Sequence, residues 1–169
     1  MNKNIINKLY WIFWYSTTML TGILAGFMIS HAIMFGHFLT WFVESGNIDL
    51  LRSSYSVFRE ATSPQVLYNR FIFLSFVLGP IWIVFAFLKK KDRIISTIAG
   101  LSTWWVSAYF FGLGFDEVEE AVMLGIADET TQQLFVSLNV PIHISNAIIY
   151  TICFLLLLIV ALKKKKTID

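Results

Sequence analysis

Long runs of apolar residues alternate with short polar segments along this chain. The runs lie at about 9–43, 65–88, 94–115 and 140–162. A helix needs about 20 apolar residues to cross the hydrocarbon core of a bilayer. The pattern therefore predicts an all-α membrane protein, with four transmembrane helices in an antiparallel bundle that forms a single domain over 1–169.

Two of the polar connections, about 47–62 and 116–138, also show a helical period. Apolar residues in the first recur about one turn apart, at Ile48, Leu51, Tyr55 and Phe58. This spacing predicts a short amphipathic helix on the surface of the bundle. In the second, Gly125 is expected to end one helical piece and Asp128 to cap another.

Proline positions refine the predicted spans. Ser63-Pro64 is typical of a helix start, because proline suits the first turn of a helix. Gly79-Pro80 is expected to kink the second span and to free a backbone carbonyl one turn earlier. Pro141 is expected to lie in the first turn of the fourth span.

The basic residues predict the orientation of the bundle. Lys3 and Lys8 precede the first run, 89–93 joins the second and third, and 163–166 follows the fourth. Lys and Arg favour the cytoplasmic side, and four spans bring all three basic segments to that side. Both termini are then cytoplasmic, in a multi-pass protein of a bacterial-type inner (plasma) membrane.

Composition excludes several classes of protein. The chain is 57% hydrophobic and 14% charged, whereas a soluble domain has about a quarter of its residues charged. Cys153 is the only cysteine, so an internal disulfide or a paired-thiol enzyme is excluded. We find no phosphate-binding glycine loop, nucleophile elbow or nucleic-acid patch. The expected partners are the lipid bilayer and a lipophilic small molecule.

All three histidines fall at the outer end of the predicted bundle. His37 and Glu44 are seven residues apart and share a helix face, whereas His31 and His37 diverge by about 120°. Glu117 and Glu120 share a face of the acidic segment, as do His143 and Asn146 at the start of the fourth span. Polar chemistry is therefore expected at one end of the bundle only.

Imidazole with carboxylate suits a transition metal, and two opposed imidazoles suit a haem. The candidate catalytic residues are His31, His37 and His143. The candidate metal ligands are the same three histidines together with Glu44, Glu117 and Glu120. A polar organic-substrate or quinone pocket and a purely structural cluster are the alternatives. The sequence lacks a Glu-x-x-His or His-Glu-x-x-His pattern that would decide between them.

A face of small residues runs along the first span. Thr18, Gly22, Gly26 and Ser30 recur at intervals of four, a spacing that lets another helix approach closely. Such a face serves helix packing, homo- or hetero-oligomerisation, or a ligand lying in the groove. Gly22 and Gly26, with Asn139 and Asn146, are the candidate cofactor-binding residues.

Three short motifs resemble the anthrone-oxygenase-like family of small four-span membrane proteins. They are Gly22-Ile-Leu-Ala-Gly26, Ser63-Pro64, and the stretch from Asn139 through Pro141 and His143 to Asn146. The resemblance implies a four-helix membrane bundle, and named members are similar to oxygenases that act on polycyclic anthrones. In this chain His143 stands where the family usually has asparagine.

The sequence thus favours an outer-leaflet His/carboxylate site that binds a metal or haem and carries out redox chemistry on a lipophilic substrate. The enzyme would be a membrane-embedded oxidoreductase or oxygenase. The alternative is a non-enzymatic accessory subunit of a transporter or larger membrane complex. A transporter acting alone is disfavoured, because four spans form a pathway only as an oligomer and the halves show no internal repeat.

Overall fold

The computed structural model describes residues 2–165, and these form helices joined by short connections. Helix α1 is Lys3–Glu44. Helix α2 follows as three consecutive pieces, and the remaining helices complete the bundle. The pieces of α2 are Ile48–Leu51, Arg52–Ser56 and Val57–Thr62; the others are α3 (Pro64–Leu88), α4 (Arg93–Gly100), α5 (Ser102–Gly112), α6 (Phe115–Leu124) and α7 (Glu129–Lys165). Lys166, part of a predicted basic segment, lies outside the described residues.

Among residues 2–165, three segments are long and apolar enough to cross a membrane: Lys3–Glu44, Tyr68–Leu88 and Glu129–Lys163. A fourth crossing results if α4 and α5, which are bent by 42° to each other, form one span. The predicted all-α class is confirmed, and the helices are consistent with three or four membrane crossings.

One end of the bundle, which we call the lysine end, carries Lys3, Lys8, the α3–α4 connection and Lys163. Its buried cluster includes Tyr10, Trp82 and Leu157. The Tyr10 hydroxyl donates a hydrogen bond of 2.9 Å to Asp92 in the α3–α4 connection. Lys163 of α7 lies 3.9 Å from the same carboxylate, so this connection contacts both the first and the last helix.

The third predicted span is not one helix over 94–115, because it breaks at Leu101 and its second part ends at Gly112. A break leaves carbonyls without the usual donor one turn later. Here the Trp105 indole N–H donates to the carbonyl of Ile98 at 3.1 Å, and the Cys153 thiol lies 3.8 Å from the same oxygen. These side chains replace the lost backbone hydrogen bond.

Helix α3 continues through Pro80 over its whole length. As predicted, the proline leaves the carbonyl of Phe76 without its donor, and the Trp104 indole N–H donates to it at 3.3 Å. On the same face, Gly79 meets Gly100 of α4 so closely that an added Cβ would lie 1.9 Å from the Gly100 carbonyl oxygen. The two glycines therefore allow contact between the helix backbones.

The fourth predicted span begins eleven residues earlier than expected, at Glu129 rather than 140. Asp128 caps this start, as predicted, by accepting a hydrogen bond of 2.8 Å from the Thr131 N–H. Pro141 therefore lies inside α7 and not in its first turn. The helix continues because Phe135 and Ile142, two turns apart, both pack into the cluster beneath α6.

That second cluster marks the opposite end of the bundle, which we call the histidine end. It joins the last turns of α1 to α2, α6 and the start of α7, with Leu39, Leu51, Phe115 and Phe135 fully buried. The predicted helix end at Gly125 is confirmed, since this residue caps α6 with a φ of +68°, and Gly46 after α1 has a similar φ of +70°. The polar connections at this end are therefore packed helices.

Candidate metal centre

Three side chains from separate helices converge at the histidine end. His31 comes from α1, Glu119 from α6 and His143 from α7. One potential ligand atom of each lies within 4.8 Å of the other two. Ligands of one ion bound at about 2.1 Å lie about 3–3.5 Å apart, so modest side-chain movements would complete a site.

His31 opens a π-helical stretch in α1, His31–Phe35. The N–H of Gly36 donates to the carbonyl of His31, five residues earlier. A Cβ at position 36 would lie 3.1 Å from that carbonyl oxygen, so glycine suits this close approach. Single π-helical turns are frequent at functional sites, because they re-aim one side chain within an otherwise regular helix.

Asn139 of α7 contacts this stretch and also fixes His143. Its side-chain amide donates to the carbonyl of Gly36 at 2.8 Å and to the hydroxyl of Thr40 at 3.0 Å. Its backbone carbonyl lies 2.7 Å from Nδ1 of His143. A carbonyl oxygen only accepts, so Nδ1 carries the proton and Nε2 of His143 keeps its lone pair for a ligand.

The two imidazoles lie face to face, with ring centroids 4.0 Å apart and planes inclined by 15°. Nε2 of His31 is buried and has no hydrogen-bond partner among the described residues. A haem held between opposed imidazoles needs the porphyrin between the two rings. Stacked rings leave no such space, which disfavours a haem. A metal ion lies in the plane of each imidazole that binds it, so one of these two rings would have to turn before both bind the same ion.

Glu119 lies on the otherwise apolar face of α6, between the buried Val118 and Val122. Burial raises the pKa of the Glu119 carboxyl to about 7; nearby Arg59 acts against this rise, and Asp116 adds to it. A bound cation would favour the ionised form. Two imidazoles and one carboxylate form the ligand set of many non-haem iron sites, and three protein ligands with an open position are typical of catalytic zinc.

A cavity of about 430 Å³ adjoins the three ligands. Four helices besides α6 contribute to its wall, which is largely aromatic. Its other polar residues include Tyr68, Asn146 and Tyr150. The Tyr150 hydroxyl donates to Thr103 at 3.2 Å, and Thr103 donates to Ser75 at 2.7 Å. The three candidate ligands, His31, Glu119 and His143, therefore face a space large enough for a small organic molecule.

The structure brings only part of the predicted site together. His31 and His143 meet, whereas His37 is exposed, two residues beyond the π-helical stretch. Glu44, Glu117 and Glu120 are also exposed and are not in the ligand group. The angular divergence of His31 and His37 explains why one histidine of α1 enters the site and the other does not.

The structure also places the four candidate cofactor-binding residues in different environments. Asn139 and Asn146 are buried beside the histidines. Gly22 packs against the ring of Phe154, where an added Cβ would lie 2.9 Å from the nearest ring carbon. Gly26 is exposed, with no described atom within 4 Å of a Cβ built on it.

Sequence reasoning missed Glu119 as a ligand, although a signal for it exists. Phe115, Val118 and Val122 define the buried face of α6, and position 119 falls within the same face. A carboxylate among these apolar positions is unusual, because a buried acid needs a partner. Glu117 and Glu120, which the spacing argument selected, lie outside that face.

Comparisons with protein-family models, with curated proteins and with solved structures find no match. The resemblance to anthrone-oxygenase-like proteins stays a prediction.

Proposed function

We propose that this chain is an integral membrane metalloprotein that binds one divalent transition metal through His31, Glu119 and His143. We further propose that the metal serves redox chemistry on a lipophilic substrate in the adjoining cavity. The observation that carries the proposal is the convergence of three ligand atoms, from three helices far apart in sequence, within 4.8 Å. The unpartnered Nε2 of His31 supports it, because a buried polar atom without a partner is costly.

We also propose on which side of the membrane the site lies. The basic residues of the lysine end favour the cytoplasmic side, which puts the histidine end near the outer leaflet of a bacterial-type inner membrane. Apolar side chains such as Ile33, Phe73 and Ile148 are exposed on the helices and would face lipid. A lipophilic substrate would reach the site from the bilayer.

Each residue of the site has a separate role in this scheme. His31 and His143 bind through Nε2, and the Asn139 carbonyl keeps the proton of His143 on Nδ1. Glu119 supplies a negative charge that offsets part of the charge of the ion. A bound metal of this type supplies open coordination positions for oxygen or substrate. The aromatic wall of the cavity keeps water from the reacting groups.

The direct test measures metal stoichiometry and Co²⁺ affinity of the purified full-length protein in detergent. We expect one ion per wild-type chain and a loss of affinity of about 100-fold in His143→Ala. His37→Ala is the matched control, because His37 is exposed on α1 and should leave both values unchanged. Failure of the wild type to bind any transition metal, or equal losses in both variants, would contradict the proposal.

A non-enzymatic accessory subunit is the second candidate function. It is favoured by Gly26 and Ser30, which leave an exposed small-residue face on α1. Such a face permits close packing of a partner helix. If this function is correct, Gly26→Leu should disrupt an oligomer or complex that the wild type forms in detergent. A wild type that is monomeric and binds metal would favour the first candidate.

A further inference from the structure

We propose that the cavity beside the metal group binds a neutral lipophile that carries a hydroxyl group, and that Oδ1 of Asn146 accepts the hydrogen bond from that hydroxyl. This inference deepens the proposed function, since it names the substrate class of the same site. It is carried by the buried acceptor, by the composition of the wall and by the charges around it.

The wall gives the ligand an apolar body. Phe76, Phe110 and Phe111 line the cavity, together with Tyr68 and Tyr150. Phe111 is 61% exposed, so the cavity extends to the outer surface of the helices, where lipid would lie. A volume of about 430 Å³ is within the usual range for small-molecule sites, about 300–1,000 Å³.

Asn146 supplies an acceptor that nothing described in the protein uses. It lines the cavity and is only 1% exposed. Its Oδ1 has no hydrogen-bond partner among the described residues. Leaving such an atom unpaired costs about 1–3 kcal/mol, so a ligand that donates a hydrogen bond there gains this energy. The neighbouring Tyr150 hydroxyl does not meet this need, because it donates to Thr103.

The charges around the cavity select a neutral ligand. Its described wall contains no Lys or Arg, and Glu119 is its only acidic residue. In the metal-free protein, a carboxylate or phosphate would therefore have no basic partner there, which disfavours fatty acids and phospholipid headgroups. With a divalent ion bound, the ion and Glu119 together are positive, which disfavours a cationic amine. An uncharged O–H donor satisfies both conditions.

The test compares ligands that differ only in the donor. Binding of 2-naphthol, 2-methoxynaphthalene and 2-naphthoate is measured in nanodiscs containing metal-free or Zn²⁺-loaded full-length protein, and 1-decanol with its methyl ether forms the aliphatic arm. We expect the hydroxyl compound to bind about tenfold more tightly than its ether. For the metal-free protein, we also expect 2-naphthoate to bind more weakly than 2-naphthol, because the wall offers it no basic partner. The two arms show whether the hydroxyl is borne by an aromatic or an aliphatic body.

Asn146→Leu should abolish the preference for the hydroxyl compound, with little change in binding of the ether. Asn69→Leu is the matched control, because Asn69 also lines the cavity but is exposed. Equal binding of alcohol and ether to the wild type would overturn the inference without any variant. So would a preference that survives Asn146→Leu, or tighter binding of 2-naphthoate than of 2-naphthol to the metal-free protein. The metal-free measurements separate this result from the metal proposal, which the Co²⁺ titrations test independently.

Discussion

The two ends of the bundle differ in how many of their buried polar atoms have a hydrogen-bond partner. At the lysine end, the Tyr10 hydroxyl is paired with Asp92 and the Trp14 indole N–H donates to the carbonyl of Leu157 at 3.2 Å. At the histidine end, three buried atoms have no described partner: Nε2 of His31, Oδ1 of Asn139 and Oδ1 of Asn146. The lysine end has one such atom, Nε1 of Trp82, and two more, Oγ1 of Thr17 and Oγ1 of Thr21, lie on α1 between the two ends.

The backbone differs in the same sense. On the lysine side, the break at Leu101 has its freed carbonyl paired with Trp105, and Gly79 and Gly100 touch beside it. The histidine end contains a π-helical stretch and a cavity of about 430 Å³. Unsatisfied polar groups and irregular helices reduce stability, and proteins retain them where function needs them. The difference supports the proposal that the histidine end is the binding region of the bundle, whereas the lysine end contributes mainly to stability.

The largest expected effect on stability lies at the contact of Gly79 with Gly100. Gly79→Leu should reduce the free energy of unfolding by about 3 kcal/mol or more, because its side chain would collide with backbone. Gly26→Leu is the matched control, since its Cβ meets nothing described within 4 Å. Denaturation in mixed micelles measures both. A similar loss in the two variants would show that the Gly79–Gly100 contact is not specially sensitive to an added side chain.

At the histidine end, Asn139→Leu should weaken Co²⁺ binding by about 10- to 100-fold. The change removes the amide that donates to Gly36 and Thr40, so the segment that carries His31 loses two hydrogen bonds to α7. Thr40→Val removes only one of these hydrogen bonds and should have a smaller effect. Titration of purified protein with Co²⁺ checks the order. Equal affinity in all three proteins would mean that the amide does not position His31.

Tyr10→Phe tests the lysine end with a smaller change. It removes the hydroxyl that donates to Asp92 and should lower the free energy of unfolding by about 1 kcal/mol. Co²⁺ affinity should be unchanged, because Tyr10 lies at the other end of α1. Reduced metal binding in this variant would contradict the claim that the lysine end does not affect metal binding.

Asn146→Leu should have the smallest effect on stability. An unpaired buried oxygen is replaced by an apolar group of similar size, so the metal-free protein should be equally stable or more stable. Thermal unfolding of the metal-free wild type and variant provides the measurement. A loss of more than about 1 kcal/mol would imply a partner for Asn146 in the folded protein.

The sequence predicted the helical class and the clustering of polar groups at one end, because apolar runs and basic residues report these directly. Hydropathy does not reveal the break at Leu101, which depends on donors from Trp105 and Cys153. The early start of α7 depends on the packing of Phe135, which overrides the tendency of Pro141 to begin a helix. In the site, the angle per residue of a helix predicted that His31 and His37 lie on different faces. The proximity of Glu119 and His143 could not be predicted in this way, because it depends on how α6 packs against α7.

Co²⁺ titration of Glu119→Gln and Glu117→Gln tests the central claim most directly. The two variants change charge equally on one helix, but only Glu119 is within 4.8 Å of the histidine ligand atoms. We predict that Glu119→Gln weakens Co²⁺ binding at least tenfold and changes the visible spectrum of the bound ion, whereas Glu117→Gln matches the wild type. Identical affinity and spectra in the two variants would contradict a metal centre built from His31, Glu119 and His143.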